Sequence, residues 1–186
     1  MVVRTIGLIR KIFDVDARLV EAPTGLRAEI GKSSLATVFR HLCGSDAKSK
    51  KVPLCIASAR ESVIRAFLKA YVEGDGTVLE NSIAIDTVSK KLALGIYQLF
   101  LVCGYLPSYY VWNPPKRRKL LGREVNQSTL YYVKITAERF RNDFLGLKNP
   151  APRKKSEASL KFKETKTHWL VPIFRIERRE YSGYVY

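Results

Sequence analysis

The chain has little with which to bind a soft metal ion. Its 186 residues include only two histidines, His41 and His168, and three cysteines, Cys43, Cys55 and Cys103, with no Cys-x-x-Cys spacing. A His/Cys zinc centre is close to excluded, and any bound metal would take oxygen ligands. The odd, scattered cysteines argue against a disulfide framework and for a reducing compartment, so a cytoplasmic location is expected. His41, in the apolar run Val38 to Leu42, is expected to pack in a helix rather than to ligate. No apolar run reaches the roughly 20 residues of a membrane span. The N-terminus carries neither the apolar core nor the cleavage site of a signal peptide. Acids are scarce as well: 17 Asp+Glu face 33 Lys+Arg, a net charge of +16. The implied partner is polyanionic, nucleic acid ahead of an acidic membrane because no amphipathic basic helix stands out. A ribosomal-type or merely basic thermostable protein is the other reading of the same charge.

What the chain does have is a core, with 46% hydrophobic and 11% aromatic residues. Apolar spacing predicts helices over Thr5–Phe13, Ser34–Gly44 (with a Ser cap), Ala57–Gly76, Ser89–Tyr105 and 137–147. Residues 17–22 and 25–32, joined by Pro23-Thr24-Gly25, read as a hairpin. Residues 77–88, 106–112 and 129–136 read as further strands, with a basic tip around Lys116–Arg123. A weak internal repeat is present. The order helix, strand, strand, helix, basic loop occurs over residues 6–53 and again over 92–155. Only the second occurrence is preceded by a long helix and a strand pair. Three segments are therefore expected: 1–56 as a partial unit, 57–150 as a complete one, and 151–186 as a basic linker with a C-terminal strand region.

The long helix runs into Glu73-Gly74-Asp75-Gly76-Thr77, an acidic turn in a basic protein. Ala66, Ala70 and Gly74 recur every four residues and form a small-residue stripe that lets a second backbone approach closely. Two such helices packed face to face would bring their terminal acids together. Converging carboxylates with nearby carbonyls make a hard oxygen site suited to Mg²⁺, the ion of phosphodiester hydrolysis. A solvated turn, with Gly and Asp serving turn geometry alone, accounts for the same five residues.

Leu68 to Gly76, Leu-Lys-Ala-Tyr-Val-Glu-Gly-Asp-Gly, resembles the signature of the LAGLIDADG homing endonucleases. Leu68, Asp75 and Gly76 match it identically. Ala70, Val72, Glu73 and Gly74 are conservative, and Lys69 and Tyr71 depart further. The resemblance implies an α+β fold, an αββαββα repeat whose curved antiparallel sheets form a DNA-binding saddle. One full repeat is covered, together with the back half of a preceding one. It further implies that Asp75 binds the metal, with the Gly74 carbonyl beside it, while Glu73 shapes the helix end. Intein-borne members place a lysine three residues before a proline ahead of the second motif, which Lys50 matches, with Lys51 adjacent. A simple phosphate contact or a solvated loop explains Lys50 equally. Lys148, before Pro150, is the weaker counterpart in the second unit. The tail from Trp169 resembles the late strand region of archaeal inteins, and no His-Asn pair with a following nucleophile comes after Tyr186, so this chain is expected not to splice itself.

Alternating strands leave one sheet face free to lie along a major groove. Lys116, Arg117, Arg118, Lys119, Arg123 and Lys134 are the candidates there, with Arg18, Arg27 and Lys32 from the front half. The Lys116–Lys119 cluster would meet phosphates, or is only a solvated tip, and Asn126, Gln127 and Ser128 are better placed for bases. Tyr109, Tyr110, Tyr131 and Tyr132 are expected to pack in the core or on a sheet face.

The resulting expectation is an intein-derived, Mg²⁺-dependent, site-specific double-strand DNA endonuclease. Its partners would be DNA and a second motif helix, from a copy of itself or a separate chain, with no membrane and no small-molecule cofactor. The alternative is a non-cleaving DNA- or RNA-binding module, or a degenerate fragment, on the same scaffold.

Overall fold

Ile64, Leu68 and Val72 lie on one side of a helix, and all three are buried. The surface they meet is a four-stranded antiparallel sheet. In this computed structural model the described residues are 2–22, 25–79, 82–115, 117–120, 123–135, 163–173, 175–178, 180 and 182–183. They form two compact units, Met1–Asn149 and Pro150–Tyr186.

The first unit opens with α1 (Val2–Phe13), a hairpin of β1 (Arg18–Ala22) and β2 (Gly25–Glu29), α2 (Ser33–Cys43) and a short α3 (Leu54–Ala57). Then come α4 (Glu61–Asp75), β3 (Thr77–Leu79), β4 (Ser82–Thr87), α5 (Lys90–Val102) and β5 (Ser108–Trp112). A hairpin of β6 (Arg117–Leu120) and β7 (Arg123–Asn126) leads into β8 (Leu130–Ile135). The main sheet has the order β3-β4-β8-β5. Ile83 and Ile85 of β4 and Val133 and Ile135 of β8 face the core, where they meet α4 and Leu92, Ala93, Ile96, Leu99 and Phe100 of α5. Two helices thus cover one face of the sheet, and no described helix covers the other. The second unit holds one short pairing, β9 (Lys163–Glu164) with β10 (Trp169–Leu170).

Arg65 fastens the start of α4 to the end of α5. Its guanidinium donates to the Cys103 carbonyl (3.1 Å), the Tyr105 hydroxyl (3.3 Å) and Glu61 (2.7 Å), and lies over the Tyr105 ring. These contacts, the Tyr105 hydrogen bond foremost, push the Arg65 pKa above its already high value.

Several expectations need correction. The long helix starts at Glu61, not Ala57, because α3 is a separate turn ending at Ser58, whose amide bonds back to the Leu54 carbonyl (2.9 Å). Ile56 and Ala59 pack on the core, and that docking turns the chain between the two helices. No serine caps α2: Lys32 is the cap residue and makes no side-chain cap bond, while both serines fall inside the first turn. The basic tip is a hairpin strand pair with Arg117 opposite Asn126. Among the described residues only one sheet has more than two strands. The helix expected over 137–147 lies outside the described residues.

The repeat is visible in the order of elements: α1-β1-β2 and α5-β5-β8 are each a helix followed by an antiparallel strand pair. The front copy has no interior of its own. From Val3 to Val52 no described side chain is fully buried. Leu8, Ile12, Phe13, Leu19, Leu26, Val38 and Phe39 are all substantially exposed.

Stability should therefore depend on the α4–α5–sheet core. Phe100→Ala is expected to lower unfolding free energy by about 3–5 kcal/mol. Leu26→Ala, on the exposed hairpin, should stay within roughly 0.5 kcal/mol. Urea denaturation of the two variants checks this.

Candidate nucleic-acid interface and acidic helix end

Burial of Ile64, Leu68 and Val72 decides where the small stripe goes. Ala66, Ala70 and Gly74 are each offset by two residues from them, roughly 200° around the helix, and all three are exposed. Val63, also exposed, continues this bare face toward the start of α4. The helix ends at Asp75, and Gly76 follows in extended conformation, its amide bonded to the Val72 carbonyl (3.0 Å). A Cβ on Gly76 would lie 2.7 Å from that same carbonyl oxygen, so only glycine fits this turn.

The acids at this end work against the helix dipole. A helix C-terminus is its negative pole, where carboxylates cost about 0.3–1 kcal/mol each and cations are favoured. The last turn of α4 contains no basic residue. Glu73 is partly compensated by Lys69, one turn earlier, at 4.0 Å. Asp75 has no cation among the described residues. Its Oδ2 accepts one hydrogen bond, from the Tyr71 hydroxyl at 3.2 Å. Burial and the Asp75 charge, with a smaller effect from Asp86, push the Tyr71 phenol well above its ordinary pKa. The Gly74 carbonyl belongs to the final turn, whose carbonyls lack intrahelical partners. Carboxylate plus carbonyl suits a hard divalent cation in kind but not in number. Among the described residues no three His, Cys, Asp or Glu side chains converge.

The open face of the main sheet is set by register. Ala84 and Asp86 of β4, Tyr132 and Lys134 of β8, and Ser108, Tyr110 and Trp112 of β5 share it. Tyr110 and Tyr132 are directly opposite and stack, with centroids 4.7 Å apart and planes within 3°. Tyr109 and Tyr131 occupy the core face instead, where they stack at 6.4 Å. Burial pushes the Tyr109 phenol up, and its buried hydroxyl has no hydrogen-bond partner. Burial, then Asp86 and Tyr110, raise Tyr132.

Of the remaining candidates, Lys50 projects from a held backbone. Its carbonyl accepts from the Ser89 hydroxyl, which also caps α5 by accepting the Leu92 amide (3.2 Å). Val52 then packs so closely on α5 that a Cβ at Gly95 would meet it at 2.7 Å. Upstream, the Asp46 carboxylate accepts the Lys48 and Ser49 amides (2.8 and 3.0 Å), and bonds from Ser49, then Lys48, hold its pKa below the usual value.

Arg18 and Arg27 share a face of the front hairpin, and Arg27 pairs with Glu29 at 2.6 Å. Lys32 is exposed ahead of α2. Arg117 and Asn126 are exposed, Gln127 and Ser128 half-buried, and the Gln127 Oε1 is buried without a partner. Arg118, Lys119 and Arg123 are placed by backbone register alone. Lys116 and Lys148 lie outside the described residues. The structure thus joins Asp75, Gly74 and the stripe on one helix and sets Lys134 on the open face, whereas Arg18 and Arg27 lie on the front hairpin and Lys32 just ahead of α2. Reading the sequence missed Tyr71, Asp86 and Ser89. Tyr71 was available as an i,i+4 neighbour of Asp75; the other two require knowing which strand lies beside which helix.

These features define a class: an αβ-sheet protein with an acidic, small-faced helix end and an open antiparallel face. Residues 62–146 match the family described as LAGLIDADG-like domain. The homing endonuclease I-DmoI, solved in complex with DNA and Mn, has the same fold at TM-score 0.52 and 14% identity, over 77% of this chain and 69% of that one. Its complex with DNA and Ca gives 0.53 and 16%, over 78% and 68%. The chain thus carries a LAGLIDADG-like domain over residues 62–146 and shares its fold with a homing endonuclease. Among curated proteins it is 27% identical over 180 residues to a DNA polymerase of Thermococcus sp. (strain GE8), and 27% over 174 residues to the DNA polymerase II large subunit of Thermococcus kodakarensis. Those alignments take in 85% and 82% of this chain but 11% and 10% of the polymerases, so the chain spans about a tenth of their length. No helix among the described residues is long and apolar enough to cross a membrane.

Ser89→Ala is expected to cost about 1 kcal/mol through loss of the α5 cap. It should also release the Lys50 carbonyl, read as faster amide exchange over 50–53.

Proposed function

We propose that the chain is a site-specific, Mg²⁺-dependent double-strand DNA endonuclease of intein origin that is completed by a second motif helix. The observation that carries this reading is Asp75, an exposed carboxylate with no cation among the described residues, at the negative end of a helix whose bare face is small and apolar. A solvated turn gives no reason to place it there, whereas a divalent cation removes the electrostatic cost. Complexes of I-DmoI with DNA and Mn or Ca support the choice of ligand and partner. Matching a tenth of a polymerase with a homing-endonuclease fold is what an intein-borne insert would produce.

In this reading Asp75 and the Gly74 carbonyl hold the ion, and the second helix end supplies the opposing carboxylate. The bound ion would activate water and steady the leaving oxygen. Lys50, on its fixed backbone, would neutralise the scissile phosphate, and Lys148 would do so weakly from the other unit. Lys134, Arg117 and the Lys116–Arg123 hairpin would follow phosphates, with Arg18, Arg27 and Lys32 extending the track. Asn126, Gln127 and Ser128, with Asp86, Tyr110 and Tyr132 of the open face, would meet base edges. Segments 1–56, 57–150 and 151–186 are then a half unit, the family unit and an intein-type tail, acting in the cytoplasm.

The exposed apolar surface of α1, α2 and the α4 stripe supports a partner, either a copy of this chain or a separate one. The specific alternative is a binding module that does not cut, favoured by the single acidic helix end among the described residues.

A pooled randomised duplex library incubated with Mg²⁺ separates these. Cuts at a recurring long site, abolished by EDTA and reduced at least about 10³-fold by Asp75→Asn, are the expected result. Retention of the same sequences without cuts, by both proteins, would leave only the binding module.

A further inference from the structure

We infer that Tyr71 is a positioning residue that fixes which oxygen of Asp75 is offered to the ion. The inference rests on the metal-binding reading of Asp75 given above. Tyr71 occupies the fourth place of the signature, where the family name itself spells leucine. A leucine would fill similar space between α4 and the sheet but could not donate a hydrogen bond.

In this chain the Tyr71 ring is partly buried, packs on the core and lies 6.1 Å from the Phe67 ring. Its hydroxyl is therefore delivered from a fixed frame, not from a freely turning side chain. It donates to Oδ2 of Asp75 at 3.2 Å across one helical turn. An exposed Asp normally exchanges rotamers at little cost. A donor on one oxygen selects the rotamer that reaches it and leaves Oδ1, which accepts no bond among the described residues, directed elsewhere. The phenol hydroxyl gives its one proton to Oδ2 and so offsets part of the charge on that oxygen. This is the role that outer partners of metal-ligating carboxylates play generally.

The test compares wild type, Asp75→Asn and Tyr71→Phe by two readouts. Tyr71→Phe keeps the ring and the packing, which a thermal melt verifies. The first readout is the side-chain scalar couplings of Asp75 by NMR in metal-free protein. One dominant rotamer in wild type and averaged couplings in Tyr71→Phe are expected; averaged couplings in both, or unchanged couplings in both, overturn the inference. The second is Mn²⁺ binding by electron paramagnetic resonance. Asp75→Asn should abolish the site, and Tyr71→Phe should weaken it roughly 10–100-fold. Abolition by Asp75→Asn with wild-type affinity in Tyr71→Phe overturns the inference and leaves the metal reading standing. Wild-type Mn²⁺ behaviour in Asp75→Asn overturns the metal reading, and the inference falls with it.

Discussion

Burial of Ile64, Leu68 and Val72 against the sheet fixes the rotation of α4, and most of what makes the molecule interesting follows from that rotation. With one face committed to the interior, the chain has no choice about the other: Ala66, Ala70 and Gly74 point away, and the final turn leads directly into β3, an edge strand of the sheet. Arg65 prevents the helix from turning to hide its bare side, because its guanidinium is held at once by α4, by the Cys103 carbonyl and by Tyr105. Stability and site geometry are thus one construction. The residues that hold the core together are on the same helix as those that would meet a partner, about half a turn away.

Electrostatics runs against stability in the one place where chemistry is expected. A chain of net charge +16 has cations to spare, yet puts none in the last turn of α4. Glu73 receives Lys69 at 4.0 Å, and among the described residues Asp75 receives only a phenol. Local rules are broken at functional sites more often than elsewhere, and this violation has a definite sign, since it creates affinity for positive charge. The open sheet face carries the complementary arrangement, with Lys134 beside the Tyr110–Tyr132 stack and Asp86 as a lone carboxylate.

Much of this is legible before folding, and the illegible parts have physical causes. The front hairpin is readable because Pro-Thr-Gly interrupts two alternating runs, and α5 because its apolar run is long, while its Ser89 cap emerges only from the structure. The start of α4 is not readable. Ser58, Ala59 and Arg60 suit a helix as well as a turn, and only the docking of Ile56 and Ala59 on the core decides between them. The cap of α2 is misread for a smaller reason: two serines in a row allow two starting points. At the site, the stripe and Asp75 follow from spacing along one helix. The division of four tyrosines between two sheet faces needs the register of β5 against β8, which no local pattern supplies.

The front half, from Val3 to Val52, has no fully buried described side chain, and this has a consequence for how the molecule breathes. A two-stranded hairpin without an interior is marginal by itself. Amide protons of β1 and β2 will therefore exchange through local opening, whereas those of β4 and β8, between other strands and under two helices, wait for global unfolding. The first unit then behaves as two cooperative parts, one near the bottom of the stability scale and one at the top. A bound partner that covers the front half would raise the lower unit and barely touch the upper. Binding would register as a gain of order far from Asp75, with the acidic helix end already in place.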